Sequence, residues 1–157
     1  MMIEMGSNPE LSIYHNESVE QAFPSNKGPE HIHKTLQGYP GNPIYFNSLG
    51  LSLKGQKKLD EAILCFQKAV DINPLYAEAY SNMAIVFQEQ GDIDTAISLY
   101  HKALELDPND INAYYNMGVA LSGLGKTAQA LACYKKVVKI NPNDADAYYN
   151  MGIALNH

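Results

Sequence analysis

The residues of this sequence that could do chemistry are side-chain amides that recur at a fixed interval. Asn82, Asn116 and Asn150 lie 34 residues apart, and Ser48 stands one interval before them. A carboxamide oxygen accepts hydrogen bonds and its NH2 group donates them, so one amide can pair with both the N–H and the C=O of a peptide backbone. The recurrence therefore indicates recognition of an extended peptide through its main chain.

Patterns typical of catalytic, cofactor and metal sites are weak by comparison. The segment from Ala120 to Thr127 ends in Gly-Lys-Thr, as a phosphate-binding loop does, but it begins with alanine and follows no strand. His31 and His33 have no further ligand nearby, whereas zinc sites usually need four. No histidine is placed to activate a serine or cysteine nucleophile. We expect no enzyme activity, no cofactor and no metal site.

The same interval governs two sets of apolar positions. The first set has an aromatic residue, Leu or Met three positions later, a small residue four later and an apolar residue seven later. Its aromatic residues are Phe46, Tyr80, Tyr114 and Tyr148. The second set begins at Ala62, Ala96 and Ala130, with an aromatic residue four positions later and an apolar residue seven later. Because offsets of 3, 4 and 7 define one face of an α-helix, each interval predicts two helices.

Residues that stop helices separate the two sets. Gly91 and Gly125 suit the left-handed conformation that ends a helix. The residues expected to cap the second helix are Asp60, Asp94 and Thr127. Each interval closes with an Asn-Pro pair, at Pro74, Pro108 and Pro142. The residue before proline disfavours helical geometry, which ends the second helix. The small residues of the first set let the two helices approach closely.

This pattern resembles the tetratricopeptide repeat, which places aromatic-x2-Leu-Gly-x2-Tyr, Ala-x3-Phe and Pro in 34 residues. The resemblance covers repeats at 43–76, 77–110 and 111–144 and a first helix at 145–157. The departures are Lys57 at the inter-helix glycine position and Val137 at a small-residue position. The resemblance implies an all-α, right-handed superhelical solenoid of antiparallel helix pairs, about three and a half repeats long. The first helices would line its concave face and the second helices its outside.

In that family the recurring asparagines face the concave groove, and they resemble an asparagine ladder in O-linked N-acetylglucosamine transferases. The residues expected to bind a peptide there are Asn47, Ser48, Asn82, Asn112, Tyr115, Asn116, Tyr149 and Asn150. Apolar residues three positions beyond the ladder would either contact the peptide or pack between helices; they are Leu51, Ile85, Val119 and Ile153. The alternative is that asparagine is a structurally neutral consensus residue inherited by duplication.

The charges of the residues expected in the groove indicate which kind of peptide it would bind. Some members of the family hold a C-terminal carboxylate with Lys and Arg in this groove. The matching positions here are Asn47, Leu51, Asn82, Asn112 and Asn116, of which only Asn82 fits that pattern. Glu78 and Asp146 lie nearby. We therefore expect a neutral or basic peptide and not an acidic chaperone tail.

Composition excludes other partner classes. The 157 residues include 17 acidic residues against 11 lysines and no arginine, a net charge of −6. Proteins that bind nucleic acids or anionic membranes need an excess of lysine and arginine, whereas this chain has an excess of acidic residues. No apolar run is long enough for a membrane helix and no signal peptide is evident, so we expect a cytoplasmic protein. Cys65 and Cys133 lie two repeats apart, too far for a disulfide, and are expected to be buried thiols.

The two ends of the sequence do not follow the complete repeat. Residues 1–42 are expected to be a leader or linker with a helix between Asn8 and Phe23. Three roles are open for them: a disordered leader, a helix that caps the first repeat, or a segment lying in the groove of its own or a neighbouring molecule. In 145–157, the apolar positions of a first helix are those that would pack against a second helix, but the given sequence contains no second helix after it. This favours a fragment of a longer array over a face covered by another molecule.

These observations predict a non-catalytic module that binds an extended protein segment in its concave groove. One alternative is the substrate-recruiting arm of a larger enzyme, such as a glycosyltransferase. The other is a structural module that forms homo-oligomers through the helix at 145–157.

Overall fold

The computed structural model describes residues 41–155, which form seven α-helices and no strand. The helices are α1 (Pro43–Gly55), α2 (Leu59–Ile72), α3 (Ala77–Glu89), α4 (Ile93–Leu106), α5 (Ile111–Gly123), α6 (Thr127–Ile140) and α7 (Ala145–Leu155). The helix expected between Asn8 and Phe23, together with His31 and His33, lies outside the described residues.

The helices form two layers. Turns of only a few residues join α1 to α2, α3 to α4 and α5 to α6, which makes each pair antiparallel. The odd-numbered helices contact one another in sequence, whereas the even-numbered helices of the described chain contact only the odd-numbered helices on either side. The odd-numbered helices therefore form a continuous inner row, and the even-numbered helices cover it from outside.

The turns within the pairs depend on a left-handed backbone residue. Gly91 and Gly125 have φ of 86° and 70°, as the sequence predicts. Lys57 occupies the same position of the first pair with φ of 62°. A side chain in this conformation costs about 1–2 kcal/mol, so the first turn is the most strained of the three.

The prediction that Asp60, Asp94 and Thr127 cap the outer helices is wrong, because all three lie within the first helical turn. Only one residue separates each left-handed residue from the start of the next helix. The capping position therefore falls two residues earlier than expected in α4, where Asp92 accepts a hydrogen bond from the backbone N–H of Thr95 at 3.2 Å. Helices α2 and α6 begin after Lys58 and Lys126 and have no side-chain cap.

The core of each pair is an aromatic ring packed on a small residue. Phe66, Tyr100 and Tyr134 hold the same position in α2, α4 and α6 and are the largest fully buried side chains among the described residues. A Cβ atom added to Gly50 would lie 2.6 Å from the ring of Phe66, and one added to Gly118 would lie 2.6 Å from the ring of Tyr134. The prediction that small residues permit close helix contact is confirmed.

Both cysteines are free thiols, as expected. Cys133 is buried, but Cys65 is only half-buried. Burial raises the pKa of each thiol to about 11, with a further contribution from the nearby Glu61 at Cys65. Both thiols therefore stay protonated at neutral pH.

The glycine contact in α5 can be tested against its counterpart in α7. We expect Gly118→Ala to lower the free energy of unfolding by about 1–3 kcal/mol, because the added methyl group overlaps the ring of Tyr134. Gly152→Ala is the matched control, since no atom lies within 4 Å of its added carbon. We expect the control to leave stability unchanged or raise it by up to about 1 kcal/mol, because alanine favours helix. Urea unfolding at low protein concentration measures both, and equal effects would contradict the ring contact.

Candidate functional site on the inner helices

The inner row of helices brings the three asparagines of the predicted ladder into line. Asn82, Asn116 and Asn150 are each the sixth residue of their helix, in α3, α5 and α7. These helices contact one another in order, so the three side chains follow one another along the inner layer. All three are half-buried, which corrects the expectation that they are exposed.

The first junction of the row is closed by hydrogen bonds within the protein. The Nδ2 atom of Asn82 donates to Oδ1 of Asn47 at 3.0 Å. Nδ2 of Asn47 donates in turn to the hydroxyl of Tyr76 at 3.2 Å and to Oε1 of Glu78 at 3.0 Å. Asn47 is only 2% exposed. The expectation that Asn47 lines an open groove is therefore corrected: its amide joins α1 to α3.

Ser48, which stands one interval before Asn82, is also buried. Its hydroxyl lies close to the backbone, so it does not extend out of the contact between α1 and its neighbours as a longer amide would. The expectation that Ser48 presents a binding group in the groove is corrected for this reason.

The second junction uses different atoms and leaves one amide open. Ser81 is the counterpart of Asn47, and its Oγ donates to Oδ2 of Asp110 at 2.8 Å. The other carboxylate oxygen of Asp110 accepts from the backbone N–H of Ala113 at 2.9 Å and caps α5. Because Ser81 is turned toward Asp110, the amide of Asn116 makes no side-chain hydrogen bond to any other residue in 41–155.

The third junction is closed again. Nδ2 of Asn150 donates to the hydroxyl of Tyr115 and to the backbone carbonyl of Asp146, both at 3.0 Å. The ring of Tyr115 is half-buried, with its centroid 6.1 Å from that of Tyr134. Tyr115 and Asn150 thus hold each other in place and fix the position of α7 against α5.

Asn116, with its open amide, lies on α5, and the contacting helix α7 carries further exposed residues. Asn112 and Val119 share its side of α5, one turn before and after it. The exposed residues of α7 include Asp146, Tyr149 and Ile153, and Tyr149 is 69% exposed. We call these six residues the α5–α7 groove: Asn112, Asn116, Val119, Asp146, Tyr149 and Ile153. It combines two amides that have no hydrogen-bonding partner among the described residues, one carboxylate and exposed apolar surface.

Two tyrosines with raised pKa values lie just before α3 and in the outer helix α6. The pKa of the Tyr76 hydroxyl is raised by burial and then by the adjacent Glu78, to which it donates a hydrogen bond at 3.4 Å. Burial also raises the pKa of Tyr134 to about 12, with smaller effects from Tyr115 and Cys133. These hydroxyls stay protonated at neutral pH and act as hydrogen-bonding groups.

Residues 41–155 lack two further kinds of feature. No three side chains of His, Cys, Asp or Glu lie close enough together to hold a metal ion. No helix in that part of the chain combines the length and the apolar character that a bilayer crossing needs.

Comparison with protein families identifies the repeat. Three tetratricopeptide-repeat profiles match the chain, at residues 75–143, 50–91 and 133–157. Residues 50–157 belong to the tetratricopeptide-repeat family. The all-α superhelical solenoid expected from the sequence is therefore confirmed, as is its assignment to this repeat type. Comparison with curated protein sequences gives no match.

Solved structures share the tetratricopeptide-repeat solenoid. A crystal structure of the MamA protein is 25% identical with a TM-score of 0.73, and the match covers 82% of this chain and 70% of that one. The first TPR of Spaghetti (RPAP3), bound to the HSP90 peptide SRMEEVD, is 25% identical with a TM-score of 0.72, over 73% of this chain and 91% of that one. A second MamA crystal structure matches 99% of this chain and 85% of its own at 22% identity and a TM-score of 0.74, which shows the fold alone.

Nothing in the repeat pattern predicts the hydrogen bonds that join neighbouring repeats. A signal for them exists nonetheless, because the position before each ladder residue is able to form hydrogen bonds throughout. It is occupied by Asn47, Ser81, Tyr115 and Tyr149. The first three of these side chains make a contact to the next repeat.

The closed and open amides should differ in their effect on stability. We expect Asn47→Ala to lower the free energy of unfolding by about 1–3 kcal/mol, because it leaves buried hydrogen-bonding partners unsatisfied. We expect Asn116→Ala to change it by less than about 0.5 kcal/mol, as at a surface site without a partner. Urea unfolding followed by circular dichroism compares them. A large loss with Asn116→Ala would show that this amide also has a structural role.

Proposed function

We propose that residues 43–157 form a protein-interaction module that holds an extended peptide in the α5–α7 groove. The family and the fold support the general role, since a similar tetratricopeptide-repeat structure contains a bound peptide. The observation that carries the specific proposal is the half-buried amide of Asn116, which has no partner among the described residues. The NH2 group of this amide can donate to a peptide C=O, and its oxygen can accept from a peptide N–H.

The other groove residues would hold the peptide around this amide. Val119 and Ile153 are exposed and apolar, and they offer a surface for an aliphatic side chain of the ligand. Tyr149 adds a large exposed ring and a hydroxyl, a combination common at interfaces. Asn112 lies one turn before Asn116 and provides a second exposed amide. Asn82 and Asn150 support the site indirectly, because their amides bind neighbouring repeats.

Charge favours a neutral or basic ligand. Residues 77–110 contain seven acidic residues and one lysine, and Asp146 lies in the groove itself. The Spaghetti (RPAP3) structure holds the acidic peptide SRMEEVD. In the present chain, the positions at which some family members carry lysine or arginine hold no cation. They are occupied by Asn47, Leu51, Asn82, Asn112 and Asn116. We therefore propose a ligand with an aliphatic residue and a lysine or arginine, and not an acidic tail.

The groove can be tested with labelled peptides selected from a random library and compared with SRMEEVD. We expect Asn116→Ala to weaken the selected peptides about fivefold to tenfold, which corresponds to the loss of about one hydrogen bond. Asn82→Ala is the matched control from the same row, and we expect it to change affinity by less than about twofold because its amide is already used. Fluorescence anisotropy gives the dissociation constants. Equal losses of affinity in both variants would contradict the proposal that the peptide uses the open amide of Asn116. No loss of affinity in either variant would show that the peptide does not bind in the groove.

A second candidate function is substrate recruitment for a larger enzyme, such as a glycosyltransferase. The recurrence of Asn82, Asn116 and Asn150 favours it, because it resembles the asparagine ladder of O-linked N-acetylglucosamine transferases. The same groove would then hold the enzyme's protein substrate. Reading the gene beyond His157 tests this, since a stop codon there would remove the proposal.

A further inference from the structure

Three rows of side chains cross the inner helices α3, α5 and α7. Each row is formed by the residues at one position of these helices, the second, the sixth or the ninth, and offsets of four and three place these positions on one side of a helix. Asn82 bonds to Asn47 and Asn150 bonds to Tyr115, so the sixth residue of one inner helix meets the fifth residue of the inner helix before it. The inner helices therefore run parallel and in register. The polar row is Glu78, Asn112 and Asp146, the amide row is Asn82, Asn116 and Asn150, and the apolar row is Ile85, Val119 and Ile153.

The polar and apolar rows are accessible within the stack of repeats. Helix α7 contacts α5, yet Asn112 and Val119 on α5 remain exposed. Val119 is 37% exposed, and its counterpart on α7, Ile153, is 38% exposed. A neighbouring inner helix thus leaves these positions open, so their exposure does not depend on whether another helix follows.

Asp146 supplies the free negative charge of the polar row. The carboxylate of Glu78 accepts hydrogen bonds from Asn47 and Tyr76. The carboxylate of Asp146 makes no hydrogen bond and no ion pair with another residue in 41–155. A basic side chain of a ligand is therefore attracted to the polar row at Asp146.

We propose, on the basis of the peptide-binding function proposed above, that the α5–α7 groove binds a strand-like segment that crosses the inner helices along the amide row and has a basic and an aliphatic residue one or three positions apart. We call this separation the spacing rule. In an extended chain the N–H and C=O groups point perpendicular to the chain, toward a hydrogen-bonding neighbour, and successive side chains point to opposite faces. When Asn116 binds the main chain, the ligand side chains therefore point alternately to the polar row and to the apolar row.

The dimensions of the rows fit this arrangement. The helical rise of about 1.5 Å per residue places the polar row about 6 Å from the amide row and the apolar row about 4.5 Å from it on the other side. The long stem of a lysine suits the more distant row, and a shorter aliphatic side chain suits the nearer one. Neighbouring helices lie about 8–10 Å apart, which is about the length of three residues in a strand. A basic residue at Asp146 therefore matches an aliphatic residue one position away at Ile153, or three positions away at Val119.

Other ways of binding predict other separations. In a strand lying along the helices, the residues that meet the polar and apolar rows would share one face of the strand and stand an even number of positions apart. A helical ligand would use residues three or four positions apart. The separation between the basic and the aliphatic residue thus reports how the ligand lies.

The test uses short peptides of Ser, Thr and Gly with blocked termini, each carrying one lysine and one valine at separations of one, two, three or four positions. A peptide without lysine and valine is the reference. Chemical-shift changes in the isotope-labelled 157-residue chain give the dissociation constants. We expect separations of one and three to bind about threefold more tightly than separations of two and four, because only the former reach both rows. Asn116→Ala should weaken both of the tighter peptides.

A charge variant tests the contact with the polar row. Asp146→Asn should weaken the lysine peptides with separations of one and three about threefold, and should leave the same peptides with glutamine in place of lysine unchanged. Asp94→Asn is the matched control, because Asp94 lies in the first turn of the outer helix α4 as Asp146 lies in the first turn of α7. We expect the control to change no dissociation constant, and an equal loss in both variants would contradict a contact at Asp146.

Three patterns of affinity would overturn the spacing rule. Tightest binding at separations of two and four would mean that the segment lies along the helices, and tightest binding at three and four would mean a helical ligand. Equal binding at all separations would mean that only composition matters. In each case, a loss of affinity with Asn116→Ala would leave the peptide-binding function standing. If no peptide binds more tightly than the reference, or if Asn116→Ala weakens none, both the spacing rule and the groove are wrong.

Discussion

The close packing of an aromatic ring on a small residue sets the geometry of the whole stack. Where Phe66 lies on Gly50 and Tyr134 on Gly118, no side chain separates the two helices of a pair. This fixes how near the outer helix comes to the inner one, and each outer helix in turn contacts the inner helix of the next pair. The inner row, and with it the candidate groove, follows from these contacts.

The polar contacts between repeats vary although the backbone repeats. An amide network joins the first two inner helices, a serine–aspartate bond joins the next two, and a tyrosine–asparagine bond joins the last two. The variation bears on the proposed site, because only the middle arrangement leaves the ladder residue, Asn116, without a partner in the described chain. Repeats with the same backbone thus differ in which amide is open.

Helix α7 has two distinct exposed sides. The groove side carries Asp146, Tyr149 and Ile153, with a carboxylate among apolar groups. The other side carries Tyr148 and Leu155 alternating with residues that have little or no side chain. The first composition suits a peptide with a cation, and the second suits a helix packed closely against it.

The sequence by itself determined the number and pairing of the described helices, because helical periodicity and turn residues are local signals. It also predicted the close approach of paired helices at the small residues, which involves positions less than one repeat apart. It misplaced the caps by one or two residues, since a capping position depends on the detailed path of the turn. Only the tertiary structure decided that Asn47 and Ser48 are buried and that Asn82 and Asn150 are engaged while Asn116 is open. Those outcomes depend on hydrogen bonds between residues 29 to 35 positions apart in the sequence. Which residues form these bonds depends on how neighbouring repeats stack.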